Sequence, residues 1–281
     1  MDDFNIKLDQ IIPVEQITRD DYFSNIKLNM LRGHPYINHM DGWLTVNNRP
    51  VALVGGGPSL KDQLNKLRSF DGPIVACGSS YDYLVLNGVI PTYAVVCDPD
   101  KIVINYLKRK NPLTTFLVAT NCDPVVFDHL DDMPVVMWHC YNDEPERFKK
   151  IDPGCYAIGG GCTVGLRSMT LFLMLGHKDL HMFGFDSCVS KSGDEHAYSY
   201  SEAWEQPKDQ YQVKIDRSKD HYYTCLGYHL AQNECFRDFT VKYYDYFRCH
   251  FYGGGLLAET YELVDRAIRQ GKLDQFRHKN G

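Results

Sequence analysis

Short apolar, β-branched runs recur through the middle of the chain, and each stops at a glycine-rich or polar loop. Val51-Ala52-Leu53-Val54 stops at Gly55-Gly56-Gly57, Ile74-Val75-Ala76-Cys77 at Gly78-Ser79-Ser80, and Tyr93-Ala94-Val95-Val96-Cys97 at Asp98-Pro99-Asp100. Phe116-Leu117-Val118-Ala119 stops at Thr120-Asn121, Val135-Val136-Met137-Trp138 at His139-Cys140, and Leu180-His181-Met182-Phe183 at Gly184-Phe185-Asp186. Runs of this kind read as strands buried on both faces, the pattern of a parallel sheet covered by helices. The carboxyl ends of such strands share one edge, where open α/β sheets place their ligands. The reading is therefore an α/β chain with a mostly parallel sheet and helices on both faces.

Between the strands, Leu60, Leu64 and Leu67 keep a helical interval, and Tyr81 to Leu86 reads as a helix closed by Asn87-Gly88. Thr163 to Leu175 carries Leu166, Met169, Thr170, Leu173 and Met174 at helical spacing and is stopped by Gly176. Beyond Cys188 the periodicity fades. Ser187 to Asp220 reads as a long polar loop or lid, Tyr222 to Phe236 as a helix, Val241 to Tyr244 as a strand, and Glu259 to Phe276 as an amphipathic helix. Three parts follow: residues 1–45 with no sharp reading, a core over 46–190, and a lid with a C-terminal helical or mixed subdomain over 191–281.

Composition narrows the function class. The 281 residues are long enough for a substantial core. No apolar stretch reaches the roughly 18 residues of a membrane span, and the acidic Met1-Asp2-Asp3 start is unlike a secretory signal, so a cytoplasmic protein is expected. A net charge of -6 argues against general nucleic-acid binding. The ten cysteines include no Cys-x-x-Cys pair, which removes the usual zinc spacings and favours reduced, buried thiols.

Four constellations are suited to chemistry. At Gly55-Gly56-Gly57-Pro58-Ser59 a strand runs into glycines and a proline that can start a helix; main-chain N–H groups there suit an anion, and an ordinary tight turn is the alternative. Asp98 and Asp100 suit Mg²⁺ bridging phosphates, or else a cap and a turn. Gly159-Gly160-Gly161 precedes the long helix and offers a second anion position, with Thr163 as N-cap or ligand donor. Asp186, Asp194, Glu195 and His196 suit a general acid/base set, because a histidine titrates near neutrality, with a lone surface histidine as the alternative.

Taken in order, Val54-Gly55-Gly56-Gly57-Pro58-Ser59-Leu60-Lys61, Gly88-Val89-Ile90-Pro91-Thr92-Tyr93-Ala94-Val95-Val96-Cys97-Asp98-Pro99, Gly159-Gly160-Gly161 and Leu175-Gly176-His177-Lys178-Asp179-Leu180-His181-Met182-Phe183-Gly184-Phe185-Asp186 resemble the MptE-like domain. That domain is shared by archaeal 6-hydroxymethylpterin pyrophosphokinases and motility-accessory-factor flagellin glycosyltransferases. The first and last of these segments are also similar to bacterial lipooligosaccharide sialyltransferases. The resemblance covers roughly residues 49 to 200 and implies a Rossmann-like core.

The branches imply different donors. The glycosyltransferase branch implies a nucleotide-activated sugar, typically a CMP-sugar, whereas the pyrophosphokinase branch implies ATP and Mg²⁺. Cys97-Asp98-Pro99-Asp100 is more similar to the Asp-Pro of the first branch than to the Asp-x-Asp-Gly run of the second. The helical regions that flank the motility-factor domain have no room here, so flagellin is not implied as acceptor. On this resemblance Gly55, Gly56, Gly57 and Ser59 support the donor phosphate, Ser79 and Asn121 touch base or sugar, Asp98 binds ribose hydroxyls or a metal with Asp100, and Gly160, Gly161 and Thr163 line the other side. His196 is the first candidate base, His221 the second, with Asp186 behind them. A nucleotide-binding protein without turnover is the remaining alternative; the acceptor and any homo-oligomer are left open.

Overall fold

The computed structural model describes residues 17–141, 144–154, 156–198, 209–216 and 218–272. Its centre is an eight-stranded, wholly parallel sheet in the order β10-β7-β1-β2-β3-β4-β5-β6. The strands are β1 (Val51–Val54), β2 (Ile74–Cys77), β3 (Tyr93–Val96), β4 (Thr115–Ala119), β5 (Val135–Cys140), β6 (Ala157–Ile158), β7 (Asp179–Phe183) and, near the C-terminus, β10 (Arg248–Phe251). Every residue of β1 is buried, as its unbroken apolar run requires.

Helices α2 (Leu64–Arg68), α3 (Ser80–Leu86), α4 (Pro124–His129) and α5 (Pro145–Ile151) connect the first six strands, with a 3₁₀ helix over Lys101–Tyr106 between β3 and β4. Each of these steps moves outward from β1. Helix α6 (Val164–Met174) then crosses back over β1, β2 and β3, and β7 joins the sheet on the far side of β1. The reversal of direction makes β1 and β7 the topological switch point of the sheet, so the loops after them face each other at its carboxyl edge. Gly176, at φ +86°, ends the crossover: its N–H bonds Leu173 and its carbonyl accepts the Asn47 N–H at 2.7 Å.

Several elements differ from the sequence expectation. The segment after Gly57 is a 3₁₀ turn over Pro58–Asp62 followed by the short α2, rather than one helix from Pro58. Within the expected lid, Gln210–Val213 is strand β8, which pairs antiparallel with β9 (Tyr223–Leu226); residues 199–208 lie outside the described part. The expected helix at Tyr222 therefore starts only at Gly227, and the stretch Val241–Tyr244 that reads as a strand is the end of α7 (Gly227–Tyr243) and the start of a 3₁₀ turn over Tyr244–Tyr246. Phe236 and Thr240 are both fully buried, four residues apart, and this helical stripe outweighs the β propensity of Val241 and the tyrosines. The C-terminal strand is β10 instead, and α8 (Leu256–Arg269) follows it.

Phe236, Phe247, Cys249 and Leu257 join the same core cluster as β1 to β7, so the C-terminal stretch is packed into the sheet. Residues before 46, which gave no sharp reading, contain α1 (Arg19–Met30), capped by Thr18. Buried Asn29 ties α1 to the end of β4 by donating to Thr120 O at 2.9 Å and Cys122 O at 2.8 Å. All cysteines among the described residues are free thiols, most of them buried; Cys155 lies outside the described part. No described helix is long and apolar enough to cross a membrane.

Candidate functional site

At the switch point the glycine loop after β1 is bonded to the loop after β7. Gly55 N donates to Phe183 O at 2.8 Å and Gly57 N to Gly184 O at 2.9 Å. Ser59 brings both its main-chain N–H and its hydroxyl to one carboxylate oxygen, Asp186 Oδ2, at 3.1 and 2.9 Å. A side chain on Gly57 would run into that carboxylate and lie 2.7 Å from Gly184 O. The N–H groups of Gly55, Gly57 and Ser59, expected to face an anionic ligand, thus already meet acceptors of the protein, with Asp186 standing where an anion would. Burial pushes the Asp186 carboxyl above its ordinary value against the two bonds from Ser59, which lower it.

This arrangement makes Asp186 a positioning group for the turn, and two substitutions separate that role from chemistry. Asp186→Ala strands the Ser59 N–H and is expected to cost about 1–3 kcal/mol in urea unfolding. Asp186→Asn keeps an oxygen able to accept both bonds. Because the folded carboxyl is raised above its unfolded value, its contribution is full below the unfolded pKa and is lost as pH rises through the folded one. At pH 7 Asp186→Asn is therefore expected to be at least as stable as the parent; a clear loss of stability there would refute the assignment.

A strap lies over the turn. Ala197 N donates to Gly56 O at 2.9 Å, Lys61 Nζ pairs with Asp194 Oδ2 at 3.2 Å, and the Tyr198 hydroxyl meets Ser79 Oγ at 2.7 Å. The rings of His196 and Tyr198 sit 5.7 Å apart, and a side chain on Gly56 would come within 3.1 Å of His196 Cδ2. So the strap brings His196 to the glycine loop and Tyr198 to Ser79. His221 is exposed, two residues before β9 of the two-stranded ribbon, and edge-on to Tyr223.

The other expected residues occupy the same carboxyl edge. Thr163 caps α6, its hydroxyl accepting from Leu166 N at 3.4 Å and from Gln232 Nε2 at 3.3 Å. Gly160 and Gly161 hold φ of +116° and +118°, and side chains there would strike Thr170 and Leu166. Local packing thus accounts for both glycines. Asp98 Oδ1 accepts from Asp100 N at 3.0 Å, and Asp100 Oδ1 from Ile102 N at 2.9 Å, which is the turn and cap reading of that pair. Burial, with Asp100 as a like charge, raises the Asp98 carboxyl. Asn121 is buried; its Nδ2 donates to Cys97 O at 2.9 Å while its Oδ1 has no hydrogen-bond partner among the described residues.

Sequence reasoning missed Tyr198 and the chain from buried Thr120 and His139 to half-buried Asp152. His139 Nδ1 meets Thr120 Oγ1 at 2.7 Å and its Nε2 meets Asp152 Oδ2 at 3.3 Å. Burial lowers the His139 pKa, and Asp152 opposes the shift. His139 was visible as a strand-terminal residue, but no spacing linked it to Asp152.

The family model described as "6-hydroxymethylpterin diphosphokinase MptE-like" matches residues 21–192, more than half of the chain. The chain belongs to the MptE-like family. Its fold is shared with the MAf glycosyltransferase of Magnetospirillum magneticum AMB-1, at a TM-score of 0.66 and 19% identity over 84% of this chain. The MptE-like chain spans 36% of that protein's length. A mammalian sialyltransferase, solved with Gal-beta-1-3GalNAc-ortho-nitrophenol, aligns over 85% of this chain and 87% of its own at 12% identity and a TM-score of 0.41. No curated protein sequence matches.

Proposed function

We propose that this protein is a transferase using a nucleotide-activated donor, and that it transfers a glycosyl group from a CMP-sugar. The observation that carries the reading is Asn121 Oδ1 at the carboxyl edge of the sheet, without a partner among the described residues. A buried acceptor left unmade costs about 1–3 kcal/mol, and the exocyclic amine of a nucleobase that opens the edge far enough to reach it removes the cost. The switch-point position of the glycine loops supports it, as does the fold shared with a protein named a glycosyltransferase. In this reading Ser79 and Asn121 take base or sugar, Asp98 takes the ribose hydroxyls, and Gly160, Gly161 and Thr163 line the phosphate at the start of α6. Gly55, Gly56, Gly57 and Ser59 form the wall that Asp186 braces. His196 accepts the proton of the acceptor hydroxyl as its oxygen bonds to the anomeric carbon and the nucleotide departs with the cleaved C–O electron pair; His221 is the second choice of base. The free thiols suit a cytoplasmic, reducing compartment.

Diphosphate transfer from ATP is the second reading, favoured by the name of the family model. Asp98 and Asp100 would then hold Mg²⁺ through the carboxylate oxygens not committed to backbone N–H groups. A third, binding without turnover, is favoured by the internal pairing of the Gly55, Gly57 and Ser59 donors. A thermal-shift panel separates them, because any ligand of the native state raises the melting temperature. Cytidine nucleotides are expected to raise it more than adenosine nucleotides, with release of free nucleotide from a CMP-sugar. A preference for ATP with Mg²⁺ would move the assignment to diphosphate transfer, and a shift with no release from any donor would move it to binding alone.

A further inference from the structure

Strand periodicity and register assemble a second constellation at the edge of the sheet. Asp179 and His181 are two residues apart on β7 and so share a face, and β10 pairs with β7 in parallel with His250 beside His181. One nitrogen of each imidazole and one carboxylate oxygen of Asp179 lie within 4.8 Å of one another. His250 Nε2 is 2.7 Å from Asp179 Oδ1 and His181 Nε2 is 3.5 Å from Asp179 Oδ2. The two rings stack 4.7 Å apart, both presenting Nε2 to the same carboxylate. We propose that Asp179, His181 and His250 bind a divalent transition-metal ion.

The donor set selects the ion class. Two imidazoles and one carboxylate suit Zn²⁺, Co²⁺, Ni²⁺ or Cu²⁺, whereas Mg²⁺ and Ca²⁺ seek oxygen ligands. Metal–ligand lengths of about 2.0–2.2 Å put donor atoms roughly 3–3.5 Å apart, so a modest inward turn of the imidazoles completes the site. The outer contacts agree with this. His181 Nδ1 meets the Tyr252 hydroxyl at 2.7 Å, and with Nδ1 as the donor in that bond the Nε2 lone pair is free for a metal. Phe70 packs edge-on to His181 and Phe183 stacks on Tyr252, holding the ring positions from the core side. His250 is half exposed, giving an ion a route in and leaving water to fill the remaining coordination positions.

This ion would be separate from any metal at the donor site. Asp179 opens β7, and Gly184 lies about 16 Å further along the strand direction at the rise of an extended chain. Its consequence is to clamp edge strand β10 to β7. The chain leaving β10 runs through Gly253, packed against Ser59 and Gln63, and Gly255, packed against the Asp186 backbone. Fixing β10 therefore fixes the loop that backs the Ser59–Asp186 turn.

The test uses the full chain without a histidine tag. Titration calorimetry with ZnCl₂ is expected to show one ion per chain in the micromolar range or tighter, CoCl₂ to give visible d–d absorption, and Zn²⁺ to raise the melting temperature. His250→Ala, at an exposed edge position, is expected to leave the metal-free melting temperature near that of the parent and to weaken binding at least tenfold, as is His181→Ala. Tyr252→Phe, which removes the outer hydrogen bond, is expected to weaken it by about tenfold. Cys162→Ser should leave binding unchanged. Absence of binding in the parent, or binding undiminished in His250→Ala and His181→Ala, overturns the proposal.

Discussion

Gly57→Ala is expected to lower the unfolding free energy by about 2–3 kcal/mol, whereas Gly56→Ala, one residue away, is expected to change it by roughly 0.5 kcal/mol or less. The difference lies in what each new methyl meets. At Gly57 the obstacles are Gly184 O, a backbone atom 2.7 Å away, and the Asp186 carboxylate bound to Ser59. The backbone cannot retreat without breaking the Gly57 N to Gly184 O bond that closes the switch point. At Gly56 the obstacles are the Tyr198 hydroxyl and the edge of His196, far ends of side chains that can turn aside. Gly56→Ala is therefore expected to spare stability and to disturb turnover and nucleotide binding through Ser79 and His196. Urea unfolding of both variants with unchanged m-values reads the difference. Equal stabilities would mean that the loops after β1 and β7 are not packed as described.

Much of the sheet was legible because buried parallel strands write themselves as apolar runs, and Val51 to Val54 or Phe116 to Ala119 have no other plausible use. The carboxyl edge followed, since each run stops at a glycine or a polar residue. Other parts were hidden for physical reasons. Helix α1 buries Asn29 along with Phe23 and Ile26, and a stripe mixed in that way gives no apolar period. Strand β10 was hidden because Arg248 and His250 alternate with Cys249, a pattern of one buried face that is too short to stand out.

Within the site, the glycines were legible but their reason was not. Ser59 and Asp186 are 127 residues apart, and only the return of β7 beside β1 brings the carboxylate to that turn. The same separation conceals Tyr198 against Ser79, 119 residues away. The sequence marks where the backbone must approach something closely. It does not say whether the neighbour is a ligand or the protein's own chain, and at Gly57 the neighbour is the chain.

His196→Ala is expected to cut turnover of the glycosyl donor by about two to four orders of magnitude while leaving donor affinity nearly unchanged. The imidazole sits on the strap that bonds Gly56 O through Ala197 and Ser79 through Tyr198, so it borders the donor wall without forming it. Removing a general base acts on the transition state, which lowers kcat and kcat/KM together; removing a donor contact would raise KM instead. Two companion variants isolate the effect. Tyr198→Phe removes the bond to Ser79 but keeps the imidazole, so a loss of similar size there would mean that strap placement governs the rate. His221→Ala tests the ribbon, whose histidine packs on Tyr223, and is expected to retain most of the turnover. Release of free nucleotide from the donor should be followed beside transfer, because hydrolysis proceeds even when the acceptor supplied is wrong. Unchanged donor turnover in His196→Ala would remove His196 from the reaction, and a collapse confined to His221→Ala would transfer the role of base to the ribbon.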